Sequence, residues 1–388
     1  MVLPFQTLPD SKLPLVGTTI FTIMSAEARK HGAINLSQGF PDFEPEPELV
    51  DALARVITQP VHQYAPMAGL PRLREWIAAH HRHHYAAEYD PETDITITSG
   101  GTEALYAAIT ALVRAGDEVI CFDPSYDVYV PAVELQGGRA VRIPMRAPEF
   151  AFDWDAVEAA LSSRTRMLLL NSPHNPTGRV FTEADLLALK ALAARHPFLV
   201  VADEVYEHMV FDGRQHLSMA RDPELRARSL VIGSFGKNLH ITGWKVGWCT
   251  APEALTAEFR KVHQYLTFST ATPLQEALVQ YLEPRGAAAL GGLNAFYQSK
   301  RDRLAELLAP SRLLRIPSQG TYFELYSYAH LTDQDDRTFC YQLVQQPGVA
   351  AIPISFFYEN GQDERIIRLC FAKSDETLIR AAERLSTL

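Results

Sequence analysis

The chain has 388 residues, 47% of them hydrophobic, which is ample for a sizeable core divided between two domains. A formal net charge of −10 argues against a general nucleic-acid or membrane-surface binder. No apolar stretch approaches the roughly 20 residues a bilayer requires, and the four cysteines, scattered without a C-x-x-C pair, point to reduced thiols in the cytoplasm rather than disulfides or zinc.

Residues 1–45 are rich in Pro, Gly and Thr and read as an extended arm belonging to a smaller domain. Residues 1–10 hold Pro4 and Pro9 and lack a basic run followed by an apolar one, so no secretory leader is expected. Helices are predicted over 48–56 and 71–84. The second ends in His80-His-Arg-His-His84, which reads as an exposed polar helix end and not as a metal site, because no carboxylate or cysteine partner is evident. From residue 94, short β-rich runs alternate with helical segments. Strands are predicted at 94–98, 118–122, 139–143, 167–171, 198–202 and 230–234, with helices at 103–114, 153–161, 183–195 and 252–266. Continuous apolar strands separated by helices suggest a mostly parallel sheet covered on both faces, in a large domain spanning 46–285. A helix over 291–308, strands near 321–325, 349–352 and 366–370, and a closing helix over 375–385 suggest a smaller α+β domain, 286–388.

Chemistry concentrates where predicted strands end, as it does in doubly wound sheets. The richest segment is Ser234-Phe-Gly-Lys-Asn-Leu-His-Ile-Thr-Gly-Trp-Lys-Val-Gly-Trp248. Lys237 lies in a Ser/Gly-rich turn and Lys245 follows eight residues later. Gly236, Gly243 and Gly247 leave room for close backbone approach. Lysine is the usual partner of an aldehyde cofactor in a Schiff base. Ser234 and Lys245 suit a phosphate dianion, and together these features suggest pyridoxal phosphate. Ser99-Gly-Gly-Thr-Glu103 opens a helix with Gly101 and Thr102, a natural phosphate cradle. Asn171-Ser-Pro-His-Asn-Pro-Thr-Gly178 places Asn175 on a proline-defined turn, where its amide can donate to a phenolate oxygen. Asp203, in Asp203-Glu-Val-Tyr206, reads either as a helix N-cap or as the counter-charge of a protonated pyridine nitrogen, with Tyr206 reaching the ring hydroxyl.

In this order and spacing, the four segments resemble the class I/II aminotransferases of the pyridoxal-phosphate-dependent fold type I, and the resemblance covers essentially the whole chain. It implies that Tyr126, in Pro124-Ser-Tyr126, stacks on the cofactor. Arg368, in Ile367-Arg-Leu-Cys-Phe-Ala372, would fork onto the substrate α-carboxylate. Gly39, in Asn35-Leu-Ser-Gln-Gly-Phe-Pro-Asp42, would contact substrate through its backbone, as would Asn175 through its side chain. Tyr64 would reach the phosphate of a neighbouring subunit, which implies a homodimer with shared sites. Ser37-Gln-Gly-Phe-Pro-Asp-Phe43, Gln63-Tyr-Ala-Pro66, Lys261-Val-His-Gln-Tyr-Leu-Thr-Phe268 and Gly320-Thr-Tyr-Phe323 most resemble methionine aminotransferases and the kynurenine aminotransferase/glutamine transaminase K group. The implied activity is ping-pong transfer of the amino group of a neutral amino acid, methionine or aromatic, to a 2-oxo acid through a Lys237 Schiff base. Tyr64, Tyr126, Phe21, Phe323 and Phe356 are the implied side-chain pocket. A carbon–sulfur β-lyase on the same fold is the alternative. A non-catalytic regulator would need a helix-turn-helix, and the 45 residues ahead of the large domain carry no such pattern.

Overall fold

The order of apolar runs along the chain becomes three sheets in the computed structural model, which describes residues 11–14 and 16–388. The reading of residues 1–10 lies outside these. The arm is not extended throughout. Thr19 accepts from the Thr22 N–H and caps a helix, Ile20–His31, which Gly32 ends in the left-handed conformation. Strand β1 (Ile34–Asn35) follows, then helices Pro47–Val56 and Pro71–Tyr85, each with proline in its first turn, where no amide hydrogen is missed.

The large sheet contains β2 (Ile95–Thr98), β3 (Glu118–Asp123), β4 (Arg139–Pro144), β5 (Thr165–Asn171), β6 (Leu199–Asp203), β7 (Ser229–Ser234) and β8 (Gly247–Thr250) in the order β2-β8-β7-β6-β5-β3-β4. All pairings are parallel except those of β8, which runs antiparallel to both β2 and β7. The sequence gives β8 no strand signal of its own, since Gly247-Trp-Cys-Thr250 continues a glycine-rich turn. It is a strand because Gly233 sits under the Trp248 ring, where a Cβ would come within 2.1 Å of Trp248 Cζ2. Helices Gly101–Leu112, Trp154–Ala160, Glu183–Arg195 and Glu253–Leu266 form as predicted, the third with a capping box between Thr182 and Asp185. Helices Tyr129–Leu135 and Thr272–Leu282 were not expected from the sequence.

Beyond helix Leu293–Leu308 come β9 (Leu314–Ile316), β10 (Phe323–Ser327), β11 (Val349–Ala350), β12 (Ile352–Pro353) and β13 (Ile366–Cys370), then helix Asp375–Leu385. Strands β12-β13-β10-β9 form an antiparallel sheet, and β11 pairs in parallel with β1. Residues 34–35 and 349–350, far apart in the sequence, therefore meet in one layer.

Register decides what faces what. Thr98, Gly247 and Ser234 are level across β2, β8 and β7, and Asn171, Asp203 and Ile232 are level across β5, β6 and β7. The ends of four strands thereby deliver their polar residues to one edge, over an apolar floor of fully buried residues such as Leu168, Val200 and Ile232.

Candidate active site

At that edge lies a cavity of about 200 Å³ whose walls include Gly101, Tyr126, Asn175, Asp203, Ser234 and Lys237. Lys237 rises from the one-turn helix Phe235–Asn238 that follows β7. Burial lowers its ammonium to about 8, Lys245 adds to the push and Asp203 opposes it. About one Lys237 in ten is then a free amine at pH 7, far more than for an exposed lysine near 10.4. Its Nζ donates to the Tyr322 hydroxyl at 3.0 Å, and that hydroxyl donates to the carbonyl of Gly39.

Asp203 closes the floor of the cavity. It is buried, and burial raises its carboxyl to about 6 although it accepts from Tyr129 and the Val205 N–H. The Tyr129 hydroxyl donates to Oδ2 at 2.6 Å. No helix starts here, since residues 205–208 form a turn. The N-cap alternative for Asp203 is therefore not realised, and a desolvated carboxylate is left facing a cavity, where a cation placed against it would be stabilised. Asn171 braces this corner. Its Nδ2 donates to the Asp203 carbonyl at 2.8 Å, and its Oδ1 accepts from the Asn175 N–H at 2.7 Å.

Arg368, in the middle of β13, is fully buried, and burial lowers it to about 10. Its Nη1 donates to Asn175 Oδ1 at 2.7 Å. That bond orients the Asn175 amide, leaving Nδ2 free to donate into the cavity. The guanidinium lies 3.8 Å from the centroid of the Phe323 ring, with Phe21 and Phe357 at 5.3 and 5.2 Å. Such faces hold a planar cation without satisfying its hydrogen bonds, and Nε has no partner. An anionic fork would complete it. Of the aromatic residues named for the side-chain pocket, Phe21 and Phe323 face Arg368, and Phe357 joins them.

Arg368 itself does not line this cavity and reaches it through Asn175, whereas the wall formed by Gly100, Gly101, Ser234 and Lys245 is built for an anion. Gly100 has φ +84°, and a Cβ on it would come within 3.2 Å of Lys245 Nζ. Gly247 is equally constrained, since a Cβ there would strike the carbonyl of Gly233 at 2.8 Å and Gly101 N at 3.0 Å. The first N–H groups of helix Gly101–Leu112 have no intrahelical acceptor. Among the described residues, those of Gly101 and Thr102 find none elsewhere. The positive helix end, Lys245 and the buried Ser234 face the same space. Gly236 is also close-packed, since a Cβ on it would come within 3.3 Å of Thr242 Cα, whereas a Cβ on Gly243 would meet nothing within 4 Å. Anion cradle, lysine, amide donor and buried carboxylate together fit a phosphate-bearing pyridine aldehyde.

Thr102 and Tyr206 also line the cavity. The Tyr206 ring centroid is 5.6 Å from Lys237 Nζ, and burial pushes its hydroxyl up. Gly39 lies where a Cβ would clash with the Phe323 ring at 2.7 Å, and among the described residues its N–H has no acceptor. Tyr64 is not in the cavity. It is 81% exposed, edge-on to Phe268 with centroids 5.1 Å apart. Two tyrosines escaped the sequence reading. Tyr322 lay inside the quoted Gly320–Phe323 motif but had no role assigned, and Tyr129 has no motif at all. The histidine-rich helix end is corrected too, because His80 and His81 are buried and His80 meets Glu207.

The family model for aminotransferase class I and II matches residues 31–385. A methionine aminotransferase of Escherichia coli K12 is 52% identical over 383 residues, 98% of each chain. The crystal structure of an Escherichia coli protein identified as having a methionine aminotransferase function superposes with a TM-score of 0.95, covering 98% of this chain and 100% of that one, at 52% identity. N-succinyldiaminopimelate aminotransferase of Mycobacterium tuberculosis gives a TM-score of 0.93 at 40% identity, with 98% and 100% coverage. Human kynurenine–oxoglutarate transaminase 1 is 34% identical over 391 residues, 92% of this chain and 93% of its own.

Proposed function

The chain belongs to the class I and II aminotransferases, a family dependent on pyridoxal 5'-phosphate, and from that premise we propose that it moves the amino group of a neutral amino acid, methionine or an aromatic one by preference, to a 2-oxo acid. The observation that carries the chemistry is a buried lysine lowered to about 8 in one cavity with a buried carboxylate. Bound there, pyridoxal phosphate supplies an aldehyde that condenses with amines and a ring that withdraws electrons from the substrate Cα.

Lys237 would carry the cofactor and, once substrate displaces it, would take the Cα proton on Nζ and deliver it to the former aldehyde carbon of the cofactor. Asp203 keeps the ring nitrogen protonated, gaining the cation its burial calls for. Asn175 Nδ2 and the Tyr206 hydroxyl would donate to the ring oxygen, and Tyr126 would pack against the ring. Gly101, Thr102, Ser234 and Lys245 hold the phosphate, joined by Tyr64 of a second copy. An exposed apolar group of Tyr64, Tyr265, Leu266 and Phe268 supports a homodimer covering that face. Arg368 takes the α-carboxylate, and the Gly39 N–H and Asn175 steady the same end of the substrate.

The preference for neutral donors follows from what surrounds Arg368. Phe21, Phe323 and Phe357 favour thioether and ring side chains through dispersion and sulfur–aromatic contact, about 0.3–1.5 kcal/mol each. Arg260, a possible second guanidinium, is tied to Thr96 Oγ1 and the Ile95 carbonyl, and a distal carboxylate left unpaired is penalised. We place the enzyme in the cytoplasm on its four buried, free thiols. None of the described helices is long and apolar enough to cross a membrane. The test is kcat/KM for methionine, phenylalanine and aspartate with one common 2-oxo acid. Methionine and phenylalanine should exceed aspartate at least tenfold, and the reverse order would overturn the specificity.

A further inference from the structure

Two residues past Tyr206, the chain meets helix Pro71–Tyr85 at a place that amino transfer does not use. His80 and His84 lie four residues apart on one helix face. His208, from the turn after β6, packs against both. The ring centroids are 4.6 Å apart for His80 and His84, 5.1 Å for His80 and His208, and 5.0 Å for His84 and His208. One ring nitrogen of each lies within 4.8 Å of those of the other two. His80 Nδ1, His84 Nε2 and His208 Nε2 are all buried without a hydrogen-bond partner. An unsatisfied buried polar group is destabilising, and three in one cluster require a reason.

The surroundings supply one. His80 Nε2 lies 3.4 Å from Glu207 Oε2, which also accepts from the Tyr85 hydroxyl. A ring that donates through Nε2 leaves the Nδ1 lone pair free, and a carboxylate behind an imidazole is the usual outer partner of a metal-bound histidine. The other Glu207 oxygen, unpartnered, is 3.9 Å from His208 Nε2. Beside His84 and His208, a surface cavity lined also by His216 and Asn294 admits solvent.

We propose that His80, His84 and His208 bind one divalent transition-metal ion of the zinc class, with solvent as the fourth ligand and Glu207 orienting His80. Three imidazoles without thiolate or an oxygen cage suit zinc, cobalt, nickel or copper, not calcium or magnesium. Bonds of about 2.0–2.1 Å in a tetrahedron place nitrogens roughly 3.3 Å apart. The three must therefore close by up to about 1.5 Å, within reach of rotating the part-exposed His84 ring. The ion would pin helix Pro71–Tyr85 to the segment that carries Asp203, a structural role.

The test uses tag-free holoenzyme, stripped with a chelator and titrated with Co²⁺ alone. One equivalent per chain should bind with the visible band of four-coordinate cobalt, Zn²⁺ should displace it, and the melting temperature should rise. His84→Gln and His208→Gln should weaken binding at least tenfold while leaving turnover within about twofold. Binding below one equivalent, or undiminished in both variants, would overturn the proposal. If a variant fails to fold, zinc-edge X-ray absorption on the unmodified protein decides: three imidazole ligands support the site and fewer refute it.

Discussion

Replacing Asp203 by Asn should stabilise the cofactor-free protein while crippling catalysis, and the two effects have one cause. The buried carboxyl is raised from its ordinary 3.8 to about 6 by desolvation. Below pH 4 it is protonated whether the chain is folded or not, so it costs nothing. As pH rises from about 4 to 6 the unfolded chain releases the proton while the fold retains it, so the cofactor-free fold loses about 3 kcal/mol by the time pH passes 6, and this stays lost at pH 8. Asn is neutral throughout and fits the same contacts, with Oδ1 accepting from the Val205 N–H and Nδ2 donating to the Tyr129 hydroxyl. Part of the gain is returned, because the carboxylate supports the Lys237 ammonium. The net expectation is about 1–3 kcal/mol, or about 1–4 °C in melting temperature for a chain of this size. With cofactor the sign reverses, because an amide cannot pair with a protonated pyridine nitrogen. Breaking such a buried pair costs about 3–5 kcal/mol, a fall of roughly 10²–10³ or more in kcat/KM. Differential scanning fluorimetry of the cofactor-free proteins at pH 5 and 8, with steady-state transamination, measures both. No melting-temperature gain at pH 8, or near-normal turnover, would refute the role given to Asp203.

Lys237→Ala should abolish turnover with the fold intact by circular dichroism, and borohydride reduction of the wild type should label Lys237 on peptide mapping, whereas label on Lys245 or Lys261 would sink the assignment. Tyr322→Phe removes the hydroxyl that accepts from Lys237 Nζ at 3.0 Å. The ammonium should then titrate below its present value of about 8, so the midpoint of amine-reagent labelling of Lys237 in the cofactor-free protein should move to lower pH, and an unmoved midpoint would show Tyr322 to be packing alone. Arg368→Lys loses a planar fork stacked on Phe323, so kcat/KM should fall about 10–200-fold for every amino donor alike, as for charge-assisted bonds worth about 1.5–3 kcal/mol. A loss confined to one class of side chain would place Arg368 elsewhere.

The chemistry written into short runs of residues was legible from the sequence alone. Lys237 in its turn, the glycine pair before a helix, the proline-defined loop around Asn175 and the acid after an apolar strand each combine a backbone conformation with a functional group inside a few residues. The alternating strand and helix signals placed those residues at strand ends. What escaped was of two kinds. Helix Ile20–His31 sat in a stretch whose prolines and glycines suggested an extended arm, and β8 was hidden in a glycine-rich turn because its pairing depends on Trp248 lying over Gly233. The rest were encounters between distant positions. Tyr129 reaches Asp203 across 74 residues, and Tyr322 reaches Lys237 across 85. Arg368 orients Asn175 across 193 residues, and Glu207, in the turn after β6, reaches His80 of the histidine helix across 127. Local propensity sets an element and its period. Which side chains finally share a hydrogen bond or a lowered pKa depends on strand register and on burial that only the packed chain possesses.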